Sequence, residues 1–169
     1  MPKIIENLKE KLIEEARRQI LEEGYSAMTI RSVAKACGVG VGTVYTYFSS
    51  KEELVATFML DDWKICCGEI KTVADSSRDP ETVLRCVYDQ LIRFAREHRQ
   101  VITDQAAVQS FQASFFHQHS ILREQIAELL SGCLPEDAFL REFVAEALLT
   151  WTMSGKTFDE IMPIKKKLY

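Results

Sequence analysis

The stretch Thr29-Ile30-Arg31-Ser32-Val33-Ala34-Lys35-Ala36-Cys37-Gly38-Val39-Gly40-Val41-Gly42-Thr43-Val44-Tyr45-Thr46-Tyr47-Phe48-Ser49-Ser50-Lys51-Glu52-Glu53-Leu54 alternates apolar helical spacing with helix stops. Thr29 is placed to cap a helix whose apolar face is Ile30, Val33, Ala34 and Cys37. That is the i, i+3, i+4, i+7 set of an amphipathic helix. Gly38 ends it. The link Gly38-Val39-Gly40 is too short for anything but a tight turn, and a third helix, Val41 to Phe48, follows with Val44 and Phe48 pointing inward. Ser50 and Glu53 have the spacing of a capping box, so a long helix is expected to start at Lys51.

Upstream, Ile5, Leu8, Leu12, Ala16 and Ile20 recur every three or four residues, with charges on the other face, and Gly24 stands where a helix C-terminus is stopped. Two short helices across a glycine turn, behind a first amphipathic helix, form a helix-turn-helix pattern. Thr29 and Ser50 also read simply as caps, and Tyr45 and Tyr47 as packing aromatics. Downstream, helices are expected over about 51–74, 80–98, within 101–131, over 136–153 and from about 156 into the Lys165-Lys166-Lys167 tail, with Asp79 capping the helix that Pro80 opens. Pro163 is placed to shorten the last of these. Only seven Gly and four Pro occur in 169 residues, too few for the frequent turns of a sandwich or barrel. The fold class is therefore all-α, divided at 1–50 and 51–169.

The net charge is −4 and the pI about 5.5, which alone argues against nucleic acid. The distribution argues otherwise. Residues 1–51 carry eight Lys/Arg against six Asp/Glu, a net of +2, and the remaining 13 basic and 19 acidic residues give −6. From Thr29 to Lys51 there are Arg31, Lys35 and Lys51 and no acid. Hydroxyls and aromatic edges at Thr43, Tyr45, Thr46 and Tyr47 suit phosphates, thymine methyls and base edges. No apolar run approaches the length of a membrane span, and no signal-peptide core is visible, so a cytoplasmic location without a membrane partner is expected.

Over about the first 55 residues the sequence strongly resembles the TetR family of bacterial transcriptional regulators. The resemblance rests on Thr29-Ile30-Arg31-Ser32-Val33-Ala34, on the Gly42-Thr43-Val44-Tyr45-Thr46-Tyr47-Phe48 helix and on Ser50-Lys51-Glu52-Glu53-Leu54. It implies an N-terminal three-helix DNA-binding domain and a C-terminal helical ligand-binding and dimerisation domain. It implies a homodimer, usually a repressor, on pseudo-palindromic double-stranded DNA, released by a small-molecule inducer. By resemblance the DNA-contacting set is Thr29, Arg31, Val41, Gly42, Thr43, Tyr45, Thr46, Tyr47 and Lys51. Gly40 departs from the family's Ser-type cap, and the reading helix has no charged residue, so base reading rests on Val41, Gly42, Thr46 and Arg31.

The resemblance also implies that the last two long helices pair with a partner subunit's. Phe139, Phe143, Ala147, Trp151, Phe158 and Ile161 are the candidates for that face; packing inside the subunit's own core is the alternative. An inducer pocket is implied among the fourth to seventh helices, with Phe58, Trp63, Cys66, Cys67, Tyr88, Phe111, Phe115, Phe116 and His117 as candidate lining, or else as ordinary core. Such a lining favours an apolar or aromatic ligand of modest size.

Five cysteines without a C-x-x-C spacing suggest neither disulfides nor a metal site. His117 and His119 point roughly 200° apart if helical, so they do not share a metal. No catalytic triad, phosphate loop or carboxylate pair is visible, so no enzyme activity and no cofactor are expected. Two other readings remain: a helical dimer that binds protein instead of DNA, and a small helical enzyme with a pocket in the body.

Overall fold

The computed structural model describes residues 7–164, without the side chains of residues 113–117 and 164. The helices are α1 (Leu8–Glu23), α2 (Ile30–Ala36), α3 (Val41–Tyr45), α4 (Lys51–Ser76), α5 (Pro80–Glu97), α6 (Arg99–Ile102), α7 (Gln105–Leu129), α8 (Ala138–Met153) and α9 (Phe158–Ile161). Short 3-10 turns follow α7 and α9. Among the described residues there is no strand, and no helix is long and apolar enough to cross a membrane.

The chain packs as two units. One comprises residues up to Asp61 together with His98–Ala113; the other comprises Asp62–Glu97 and the residues from Ser114 onward. This differs from the expected division at 50/51. The reason is that Leu54, Val55 and Phe58 of α4 are buried in the same cluster as Leu12, Val33, Val44 and Phe48. Val101 of α6 and Ala107 of α7 join that cluster too.

In the N-terminal unit, α1 buries Leu8, Leu12, Ala16 and Ile20, about one residue per turn. Gly24 stops it at φ 90°, and its N–H donates to the Ile20 carbonyl at 2.9 Å. A non-glycine residue there would be strained. Each fully buried Leu, Ile, Val or Phe of this cluster contributes about 1.5–3 kcal/mol.

In the body, α5 packs on α8. The core holds Trp63, Cys66, Ile70, Val83, Val87, Leu91, Ile126, Leu130, Val144, Leu148, Phe158 and Ile161. Asp79 caps α5 as expected, accepting from the Thr82 N–H at 2.9 Å, and Asp137 caps α8 through the Leu140 N–H at 3.0 Å.

Three local expectations are corrected. Helix α3 ends at Tyr45, not Phe48; Tyr47 and Phe48 both donate to the Val44 carbonyl at 3.0 Å, which closes the helix as a turn. Ser50 does accept from the Glu53 N–H at 3.1 Å, but the Glu53 carboxylate turns to Ser49, taking its N–H at 2.6 Å and its hydroxyl. The last helix is one turn long, because Pro163 lies within the 3-10 turn Met162–Ile164 and cannot continue an α-helical ladder. The Lys165–Lys167 tail lies outside the described residues.

Candidate DNA-reading surface

The candidate DNA-reading surface is built by α2, the turn and α3. Thr29 caps α2: its hydroxyl accepts from the Ser32 N–H at 3.0 Å, and Ser32 Oγ accepts from the Thr29 N–H at 3.0 Å. Ser32 Oγ also reaches Gln19 Oε1 of α1, a buried polar side chain that donates to Glu15 at 2.7 Å. This chain of hydrogen bonds sets α2 on α1. Gly38 takes φ 69°, and the Val39 N–H donates to the Ala34 carbonyl at 3.0 Å, closing the turn.

Val44 and Phe48 are buried, as expected, and anchor α3 from below. The opposite side is open. Tyr45 is 52% and Tyr47 42% exposed, and Gly42, Thr43 and Thr46 are exposed, with Val41 half-buried. Arg31 and Lys35 are exposed on α2. Eight of the nine expected contact residues thus lie exposed or half-buried in α2, α3 and the residues that flank them. The exposed residues of the acid-free stretch are carried by α2 and α3, which pack on each other.

Lys51 is the ninth, and it is placed differently. Its ammonium donates to the Tyr25 carbonyl at 2.5 Å and lies 3.9 Å from the centre of the Tyr25 ring. Burial there pushes its pKa down from the ordinary lysine value. Tyr25 in turn donates to Glu52 Oε1 at 3.2 Å and packs against Phe111, with ring centres 6.2 Å apart. Lys51 thus braces the start of α4. Replacing it with methionine, which keeps the aliphatic stem, is expected to cost about 1 kcal/mol of stability in thermal melts. The same change should leave the salt slope of any DNA affinity unaltered; a slope reduced by about one per protomer would make Lys51 a phosphate contact.

Sequence reasoning missed three residues. Ser32 completes the α2 cap, Tyr25 seats Lys51, and Asp104 accepts from the Ser26 hydroxyl at 2.7 Å while capping α7 through the Ala106 and Ala107 N–H groups. The Ser26 hydroxyl, first, and the Ala107 N–H hold the Asp104 carboxyl below its ordinary pKa. The spacing Thr29 to Ser32 carried a signal for the first; nothing local signals the Ser26–Asp104 pair, 78 residues apart.

The expected pocket lining splits between the units. Trp63 and Cys66 are buried in the body core, and Tyr88 packs against it with its hydroxyl donating to the Lys156 carbonyl at 3.2 Å. Trp63 donates to Gln125 Oε1 at 2.7 Å and meets Phe94 edge-on. Phe58 and Phe111 do not belong to this group: both pack in the N-terminal unit, Phe58 under the Arg17 guanidinium and against His98. Side chains of Phe115, Phe116 and His117 lie outside the described residues. The backbone of α7 is helical across 117 and 119.

Of the expected dimer face, Phe139 is 79% and Phe143 49% exposed, stacked with ring centres 6.4 Å apart. Ala147 is buried and Trp151 half-buried. Phe158 and Ile161 are each only 4% exposed and belong to the subunit's own core, so they have no area left for a partner. All five cysteines are free thiols, and burial raises their pKa, Cys67 to about 11.

Residues 12–57 match the sequence profile of bacterial regulatory proteins of the tetR family. Over 99 residues the chain is 33% identical to the uncharacterized HTH-type transcriptional regulator YhgD of Bacillus subtilis, covering 56% of this chain and 49% of that protein. It is 31% identical over 94 residues to the HTH-type transcriptional regulator Rv1816 of Mycobacterium tuberculosis, covering 56% and 38% respectively. The aligned region thus spans half or less of the length of these relatives. The TetR family repressor AlkX of Dietzia sp. shares the fold, with a TM-score of 0.64 over 94% of this chain and 97% of that one, at 17% identity.

Proposed function

We propose that this chain is a transcriptional regulator of the TetR family, a cytoplasmic repressor that binds a pseudo-palindromic operator as a homodimer and is released by a small apolar or aromatic inducer; the match of residues 12–57 to that family's profile supports the reading. On this reading it is a DNA-binding regulator and not an enzyme.

The observation that carries the DNA reading is the exposed face of α2 and α3. It combines Arg31 and Lys35 with hydroxyls and aromatic edges, and has no carboxylate from Thr29 to Lys51. Cations and hydroxyls at a surface without acids suit the phosphate backbone, and a buried helix underside fixes the register. Two such faces related by a two-fold axis would read half-sites roughly 34–36 Å apart.

An inducer that displaced Trp63, Cys66 or Ile70 would act on the same continuous helix whose first turns hold Leu54, Val55 and Phe58 in the N-terminal core. A shift of α4 would alter the spacing of the reading helices and favour the released state.

Gel retardation with DNA from upstream of the protein's own gene tests the reading. A sequence-specific shift is expected, weakening steeply between low and moderate salt. Arg31→Ala should bind about tenfold to a hundredfold more weakly, the range for losing one bidentate base contact or a strong phosphate contact. A folded dimer with no sequence-specific shift would refute the proposal and favour a protein-binding module.

A further inference from the structure

We propose that Asp104 is a positioning residue for DNA binding. Its carboxylate, fixed at the first turn of α7, holds the loop that carries the Thr29 cap, and so sets where α2 stands without touching DNA. This rests on the DNA-binding reading above and adds to it a residue remote from α2 and α3 in sequence.

Residues 24–29 join α1 to α2. Gly24 turns the chain out of α1 at φ 90°, and Thr29 caps α2. Tyr25 and Met28 are buried, while Ser26 and Ala27 between them are exposed. Inside the loop the Met28 N–H reaches the Gly24 carbonyl at 3.4 Å, longer than most such bonds. Buried apolar side chains hold a segment down, but that attraction is not directional. A directional contact is what stops such a loop from sliding, and a slide would carry the Thr29 cap, Arg31 and Lys35 with it.

Asp104 supplies that contact. One oxygen, Oδ1, accepts from the N–H groups of Ala106 at 2.8 Å and Ala107 at 3.1 Å, which caps α7. The other, Oδ2, accepts from the Ser26 hydroxyl at 2.7 Å. With one oxygen fixed by helix amides, the other meets the loop from a set position. A hydroxyl–carboxylate bond is charge-assisted and stronger than a neutral one. The Ser26 hydroxyl, first, and the Ala107 N–H hold the carboxyl below its ordinary pKa, so the charged acceptor persists across the neutral range.

Phe111 makes a second point of grip. It lies seven residues after Asp104, about two turns along the same side of α7. Its ring packs on Tyr25 with centres 6.2 Å apart. Helix α7 therefore holds two consecutive loop residues, Tyr25 by an apolar contact and Ser26 by a directional one.

The test uses the full chain and duplexes that it selects from a random pool. Ser26→Ala removes the donor and leaves the α7 cap in place. Asp104→Ser keeps a capping hydroxyl and withdraws the carboxylate from Ser26. Each should bind a selected duplex about three- to tenfold more weakly, the range for losing one hydrogen bond. The double substitution should lose no more than either alone, because both remove the same bond. Ser26→Thr, which keeps the hydroxyl, should retain the parent affinity. The salt slope should stay the same in every variant, since no phosphate contact is removed. A purely structural role would lower the melting temperature and leave these affinities equal. Full affinity of Ser26→Ala, additive losses in the double variant, loss of affinity in Ser26→Thr, or a salt slope reduced by about one per protomer overturns the inference while leaving DNA binding intact. Selection of no duplex by the folded protein overturns the DNA reading itself, and the inference with it.

Discussion

The double substitution Phe139→Asp and Phe143→Asp is expected to convert the proposed homodimer to a monomer that still folds. Both rings stand on the outer side of α8, stacked on each other, Phe139 largely open to water and Phe143 about half open. Neither belongs to the body core, so charging them leaves the Val144, Leu148 and Leu149 side of the helix in place. Covering a Phe side chain gains about 1.5–3 kcal/mol, so two rings per protomer supply several kcal/mol to an isologous interface. Placing four carboxylates there removes that gain and adds like-charge repulsion. The dissociation constant should rise at least about a thousandfold, read by sedimentation or light scattering, with the helical circular dichroism spectrum unchanged. Operator affinity should fall with it, because a monomer holds one half-site. A variant that remains dimeric would place the interface elsewhere.

Phe58→Ala is expected to cost about 3–5 kcal/mol of stability, the range for emptying a fully packed aromatic site. The ring is 2% exposed, stacks on His98 at 5.9 Å and carries the Arg17 guanidinium 4.7 Å above it. Were Phe58 instead the wall of a ligand cavity, truncation would enlarge space that already exists and the loss would be about 1 kcal/mol or less. Thermal or urea unfolding separates the two outcomes. The expected result also predicts reduced DNA binding, since Leu54, Val44 and Phe48 share the core that Phe58 fills.

These two substitutions mark where sequence and tertiary information part. Phe139 and Phe58 look alike on a helical wheel: each is an aromatic at apolar spacing in a long helix. Only packing shows that one faces solvent and the other the N-terminal core. Phe158 and Ile161 make the same point from the other side, because their spacing fits a partner face while a one-turn helix folds them into the body.

The candidate DNA-reading face is more legible because most of its determinants are local. Helix stops at Gly24 and Gly38, the Thr29 cap and the inward Val44 and Phe48 all act within one or two turns, where backbone geometry and side-chain period are dictated by neighbours in sequence. The charge partition was legible for the same reason: a net −4 conceals an acid-free stretch that any helical arrangement of those residues would present together. By itself, then, the sequence determined an all-α chain with a helix-turn-helix near its N-terminus and the residues of its outer face.

Tertiary structure alone decided which charges and aromatics remain available. It seats Lys51 on Tyr25, ties Ser26 to Asp104, draws Phe58 and Phe111 into the N-terminal unit and turns the Glu53 carboxylate to Ser49. Most of these are pairings between residues distant in sequence, chosen by which surfaces exclude water together. Burial depends on what packs against a residue from elsewhere in the chain, and periodicity reports only the side of a helix, never its neighbour.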